Sequence, residues 1–76
     1  MEGTEMENEV LGYALESALK ELGCSVEAKD STAIITMGSR RLRLEKRKHH
    51  WYDLEKNLWF YSRTQILIYM VRGTLR

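Results

Sequence analysis

"CSVEAKDSTAIITMGSRRLRLE", Cys24 to Glu45, is the stretch on which the fold of this chain turns. Cys24, Val26 and Ala28 alternate with Ser25, Glu27 and Lys29. A β-branched run follows from Thr32 to Met37, and then Leu42 and Leu44 alternate with arginines. Asp30-Ser31 and Gly38-Ser39 are two-residue turn signals. Turns at those places pair Val26 with Ile35 and Ile35 with Leu42, and they pair Ala28 with Ala33 and Ala33 with Leu44. The apolar residues of three strands then share one face, extended by Cys24, Met37 and Arg40, as a half-buried sheet requires. The other face carries Ser25, Glu27, Lys29, Thr32, Thr36, Arg41, Arg43 and Glu45, with Ile34 as its one large apolar member. Glu27 and Arg43 flank Ile34 there, which predicts partial neutralisation of the arginine charge.

Upstream the period is helical. Thr4-x-x-Glu7 has the form of a capping box, and acids crowd the turns after it, where the helix dipole favours negative charge. Val10, Leu11, Ala14, Leu15, Ala18, Leu19 and Leu22 form one stripe, and Gly23 is a natural left-handed stop. This predicts an amphipathic helix over 5–22, with Gly12 as an internal cost of about 1 kcal/mol relative to alanine.

Downstream, Ser62-x-x-Gln65 is a second capping box, followed by "ILIYMV" and Gly73. A helix over 63–72 is predicted, although Ile66, Ile68 and Val71 favour strands. "WYDLEKNLWFYS" reads as a hairpin turning at Lys56-Asn57, with Tyr52, Leu54, Trp59 and Tyr61 on one face, or as a helix with Trp51, Leu54, Leu58 and Tyr61 in a stripe. The hairpin is preferred. The fold class expected is therefore α+β: an N-terminal amphipathic helix packed on a small antiparallel sheet of three or four strands, then a C-terminal helix, in the order α-β-β-β-(β)-α.

With 76 residues the chain is expected to be one small domain, frayed over residues 1–4. Such a domain buries only about 60% of its unfolded surface, so its core is thin. Cys24 is the only cysteine, which rules out an intrachain disulfide and suits a reducing, cytoplasmic setting. Cys24, His49 and His50 are too few and wrongly spaced for a structural zinc site, so no metal and no cofactor is expected. Dimerisation remains as a source of further buried area. The longest clean apolar run, Ile66 to Val71, is far short of the roughly 20 residues that span a bilayer, so no membrane association is expected.

The net charge of +1 hides a division. Residues 1–30 hold eight acids and two bases, and residues 31–76 hold ten bases and three acids. The basic half is concentrated in Arg40, Arg41, Arg43, Lys46, Arg47 and Lys48, followed by His49 and the aromatic residues Trp51, Tyr52, Trp59, Phe60 and Tyr61. Arginine beside exposed aromatics suits single-stranded bases, and the basic groups neutralise phosphates. The leading expectation is thus a small non-enzymatic domain contacting a nucleic-acid backbone, RNA or single-stranded DNA, through Arg40, Arg41, Arg43, Lys46, Arg47, Lys48, His49 and Trp51.

Competing readings exist for each part. Edge strands carry Lys and Arg to block aggregation, and the aromatics are needed as core. The pI of about 7.9 is lower than a dedicated nucleic-acid domain usually shows. The acidic residues Glu5, Glu9, Glu16 and Glu21 suit a protein-protein interaction module, a small inhibitor or adaptor of viral or mobile-element type. A ribonuclease using His49 or His50 is the third reading, since one imidazole beside a basic patch can act on a 2′-hydroxyl. Cys24 lacks the surroundings of a nucleophile, and no P-loop, dinucleotide fingerprint or HExxH is present.

The order α-β-β-β-α resembles the double-stranded-RNA-binding fold and the small HicA-type toxins that share it. The chain lacks the former's basic cluster at a helix start. It has Gly38-Ser39-Arg40-Arg41 where the toxins have Gly-Ser-His-His, and the resemblance carries over no site residue.

Overall fold

In the computed structural model, which describes residues 10–73, the elements run α1 (Tyr13–Glu21), β1 (Ser25–Lys29), β2 (Thr32–Met37), β3 (Arg40–Lys46), β4 (Trp51–Asp53), β5 (Leu58–Phe60) and α2 (Arg63–Arg72). The strands form one antiparallel meander in the order β1-β2-β3-β4-β5. This is the expected α+β order, with the optional strand realised as a hairpin of two. The sheet therefore has two strands more than the α-β-β-β-α resemblance implies.

The predicted register is met pair for pair: Val26 faces Ile35, Ile35 faces Leu42, Ala28 faces Ala33, and Ala33 faces Leu44. Asp30 (φ 57) and Gly38 (φ 62) supply positive φ at the first central position of each turn, as a type II′ hairpin requires. Position in the sheet corrects one expectation. The basic strand β3 is the central strand, not an edge, so its arginines are not an edge-protection device.

Both helices cover the same face. Leu15 and Leu19 of α1 and Ile66, Tyr69 and Met70 of α2 join Ala33, Ile35, Leu42, Leu44, Trp51 and Phe60 in one buried cluster. Helix α1 starts later than the stripe predicts, because Gly12 at φ 85, ψ 159 stands at its N-cap instead of inside it. The Thr4–Glu7 capping box lies outside the described residues. Leu11 is buried ahead of the helix, whereas Ala14 and Leu22 of the predicted stripe are exposed. The indole N–H of Trp51 donates to the Val10 carbonyl at 2.8 Å and ties this entry segment to the sheet.

Helix α2 has the predicted bounds. Ser62 Oγ accepts from Gln65 N at 3.2 Å, and Gln65 Oε1 accepts from Tyr61 N at 2.6 Å, one residue before the usual partner of a capping box. The caps and the i, i+3, i+4 set Ile66, Tyr69 and Met70 outweigh the strand preference of Ile68 and Val71, which are left half-buried and exposed. Among the described residues no helix is long and apolar enough to cross a membrane, and no group of three His, Cys, Asp or Glu could hold a metal ion.

Candidate functional site

Among the described residues no element covers the sheet face opposite the helices, which is bare in that sense. Its side chains follow from alternation. The row Lys29, Thr32, Glu45, Tyr52 and Trp59 crosses all five strands, and Glu27, Ile34 and Arg43 form a second row beside it. Thr36 and Arg41 continue the surface in one direction. In the other, Arg47 N donates to the His50 carbonyl at 2.7 Å and closes the β3–β4 hairpin around Lys48 and His49.

Three strand-loop segments thus bring aromatic rings together. Tyr52 and Trp59 lie 4.7 Å apart, His50 is 4.6 Å from Trp59, and His50 is 5.5 Å from Tyr61, all tilted. Trp59 is 42% exposed and Tyr61 64% exposed, so their rings remain open to a stacking partner. The Arg47 guanidinium sits 4.8 Å over the Tyr52 ring and bonds Glu45 Oε1 at 2.8 and 3.1 Å. Arg41 pairs with Glu55 at 3.3 Å, whereas among the described residues no ion pair joins Arg43 to Glu27 across Ile34. Such exposed pairs are worth about 0–1 kcal/mol, and a phosphate can compete for either arginine. Arg43 is half-buried between these groups, and its Nε has no hydrogen-bond partner among the described residues; the same holds for His50 Nε2.

The residues singled out in the sequence separate into several environments. Arg41, Arg43 and Arg47 share the bare face. Lys48 and His49 are exposed at the hairpin tip. Lys46 leaves the core side as a strand end must, its Nζ 4.6 Å over the Trp51 ring. Arg40 turns to the helices, where Nη1 donates to the carbonyls of Met70 at 2.6 Å and Val71 at 3.3 Å. It caps α2 beside Gly73, whose φ of 82 is the left-handed conformation that ends the helix.

Trp51 corrects the expected platform. It is only 9% exposed and belongs to the core with Phe60, while Tyr52, Trp59, Tyr61 and His50 occupy the open side. The hairpin reading carried this signal, since it placed Tyr52, Trp59 and Tyr61 together. Among the acidic positions, Glu16 pairs with Lys20 at 3.0 Å and Glu21 lines a groove between the helices, while Glu5 and Glu9 lie outside the described residues. His49 and His50 go to different places, one at the tip and one against Trp59.

Asp53 was not anticipated at all. Its side chain is fully buried, with Oδ1 accepting from Arg43 N at 3.0 Å and Glu55 N at 3.2 Å and Oδ2 from Lys56 N at 3.2 Å. Asn57 (φ 60) completes the turn, its N–H donating to the Asp53 carbonyl at 3.0 Å. The turn therefore spans 54–57 instead of Lys56-Asn57. Asp53 pairs with Leu58 and Tyr52 with Trp59, and Leu54 leaves the aromatic face for the loop. The Tyr52 hydroxyl and Asn57 Oδ1 are hydrogen-bonded across it.

Fold and site together define a class: a small α+β domain with both helices on one side of a five-stranded meander and an arginine-aromatic surface on the other. No family model, no curated protein and no solved structure matches this chain.

Proposed function

We propose that the chain is a non-enzymatic binding module for single-stranded nucleic acid, RNA or DNA, and that the bare sheet face is its contact surface. The observation that carries this reading is the position of Arg41, Arg43 and Arg47 on and just beyond the central strand, beside the exposed rings of Trp59 and Tyr61. Bases stack on the aromatic rings, largely independent of sequence, at about 1–3 kcal/mol per base. Phosphates exchange for the weak carboxylate partners of Arg41 and Arg47, and Lys48 at the hairpin tip extends the positive rim. The lone thiol of Cys24 suits a reducing, cytoplasmic setting.

The test is a titration with short oligouridine and oligothymidine, read by tryptophan fluorescence. Binding quenches Trp59, and three neutralised phosphates give a slope of log K against log salt of about −2. Trp59→Ala and the pair Arg41→Glu with Arg43→Glu each weaken binding at least tenfold with the fold intact. No binding to either strand at low salt refutes the reading.

A second reading, a protein-interaction module, has its own observation on the other side of the molecule. Ala18, Leu22, Leu67, Ile68 and Val71 line an open groove of about 490 Å³ between α1 and α2, with Leu22 and Val71 exposed. A stable protein complex that Leu22→Glu abolishes, together with absent nucleic-acid binding, favours this reading over the first.

A further inference from the structure

Strand β1 is an edge strand whose protection rests on two charged side chains, Glu27 and Lys29. Its five residues pair with β2 without a bulge, and the chain has no proline to interrupt it. Ser25, Glu27, Ala28 and Lys29 are all exposed, so no element among the described residues covers the outer edge. Regular edges of this kind are templates for another strand unless charge, proline, a bulge or a covering element prevents it. The opposite edge, β5, is only three residues long.

The direction of the backbone groups follows from the turn. A two-residue turn at Asp30-Ser31 makes Lys29 and Thr32 a hydrogen-bonded pair, so Lys29, Glu27 and Ser25 direct both backbone groups toward β2. Val26 and Ala28 direct theirs outward. An antiparallel partner must therefore set Val26, Ala28 or the turn residue Asp30 opposite these two, which leaves registers that differ by two residues.

Charge selects among them. With Ala28 opposite the partner's Ala28, Glu27 faces the partner's Lys29, and Lys29 faces the partner's Glu27. Sliding by two residues one way sets Glu27 against the partner's Glu27, and the other way sets Lys29 against the partner's Lys29. Like charges directly opposite are destabilising, and opposite charges are favourable. The short side chain of Ala28 leaves room at the centre.

We infer that β1 is a self-association edge, and that two copies of this chain pair antiparallel through it about a two-fold axis at Ala28. The axis is perpendicular to the sheet, so ten strands run continuously and both helical layers lie on one side. Both bare faces then share the other side, which doubles the contact length open to a long single strand if the nucleic-acid reading holds. Dimerisation itself is independent of that reading.

The experiment is sedimentation of the purified chain, free of nucleic acid, over a range of concentrations. A reversible monomer-dimer equilibrium is expected. Glu27→Lys and Lys29→Glu each bring like charges together at two places and weaken the dimer by about tenfold. The combined Glu27→Lys, Lys29→Glu variant restores it. Ala28→Pro removes the outward N–H at the axis and gives monomer, while its β2 partner loses no bond. Circular dichroism of every variant reports whether the fold persists. A chain that stays monomeric at every concentration overturns the inference, as do assemblies larger than a dimer. So does a folded charge swap that fails to restore pairing.

Discussion

The two faces of the sheet are built by alternate residues of the same strands, and they differ in kind. Leu42, Leu44, Trp51 and Phe60 point to the helices and are buried. Their immediate neighbours Arg41, Arg43, Tyr52 and Trp59 belong to the bare side. One face is closed by two helices, and the other presents cations and open rings. A difference maintained between adjacent residues separates the side chains that build the core from those left to solvent.

The sharpest test is Phe60 against Trp59. Phe60 is fully buried at 5.7 Å from the Tyr69 ring, and Phe60→Ala should cost about 3–5 kcal/mol, enough to unfold much of so small a domain. Trp59→Ala should cost clearly less, about 1–2 kcal/mol, since the residue is 42% exposed. Urea denaturation followed by circular dichroism measures both. Equal losses would erase the distinction between the faces.

Asp53 breaks the comparison from within, because it is a charged residue at a buried position of the covered face. Three backbone N–H groups converge on its carboxylate, and hydrogen bonds to a charged group are worth about 1.5–3 kcal/mol each. Two of the three bonds are long at 3.2 Å and contribute less than that, so Asp53→Ala should cost about 3 kcal/mol, and Asp53→Asn clearly less because the amide oxygen still accepts. Equal thermal denaturation midpoints for the two variants would show that the turn does not depend on these acceptors.

The smallest effect concerns Cys24, on the covered side. Burial pushes its thiol pKa up, and Sγ lies 3.8 Å from Met37 Sδ. The burial raises the barrier to thiolate chemistry. Iodoacetamide should modify the folded protein much more slowly than the urea-unfolded chain at the same pH. Matching rates would place Cys24 at the surface.

How much of this was legible follows from where the information is local. The β1-β2-β3 register was readable because two-residue turns fix pairing and the apolar residues of three strands agree with it. Helix α2 was readable from its caps, despite the strand preference of Ile66, Ile68 and Val71. The start of α1 was not, since a hydrophobic stripe runs through Gly12 without revealing the backbone turn there. Nor was the side chosen by Trp51, because the 54–57 turn depends on Asp53 reaching the backbone of Arg43 on another strand.

The sequence by itself determined the alternation, the order of elements and the fact that Arg41 and Arg43 share a face away from the leucines. These depend on neighbours and on short turns. Only the tertiary structure decided that β3 is central, that Arg40 caps α2, and that Trp59 and Tyr61 stay open while Trp51 and Phe60 are covered. Those outcomes depend on which face two distant helices pack against, and on contacts between residues about 10 to 40 positions apart. Their pattern is not present in any local window of the chain.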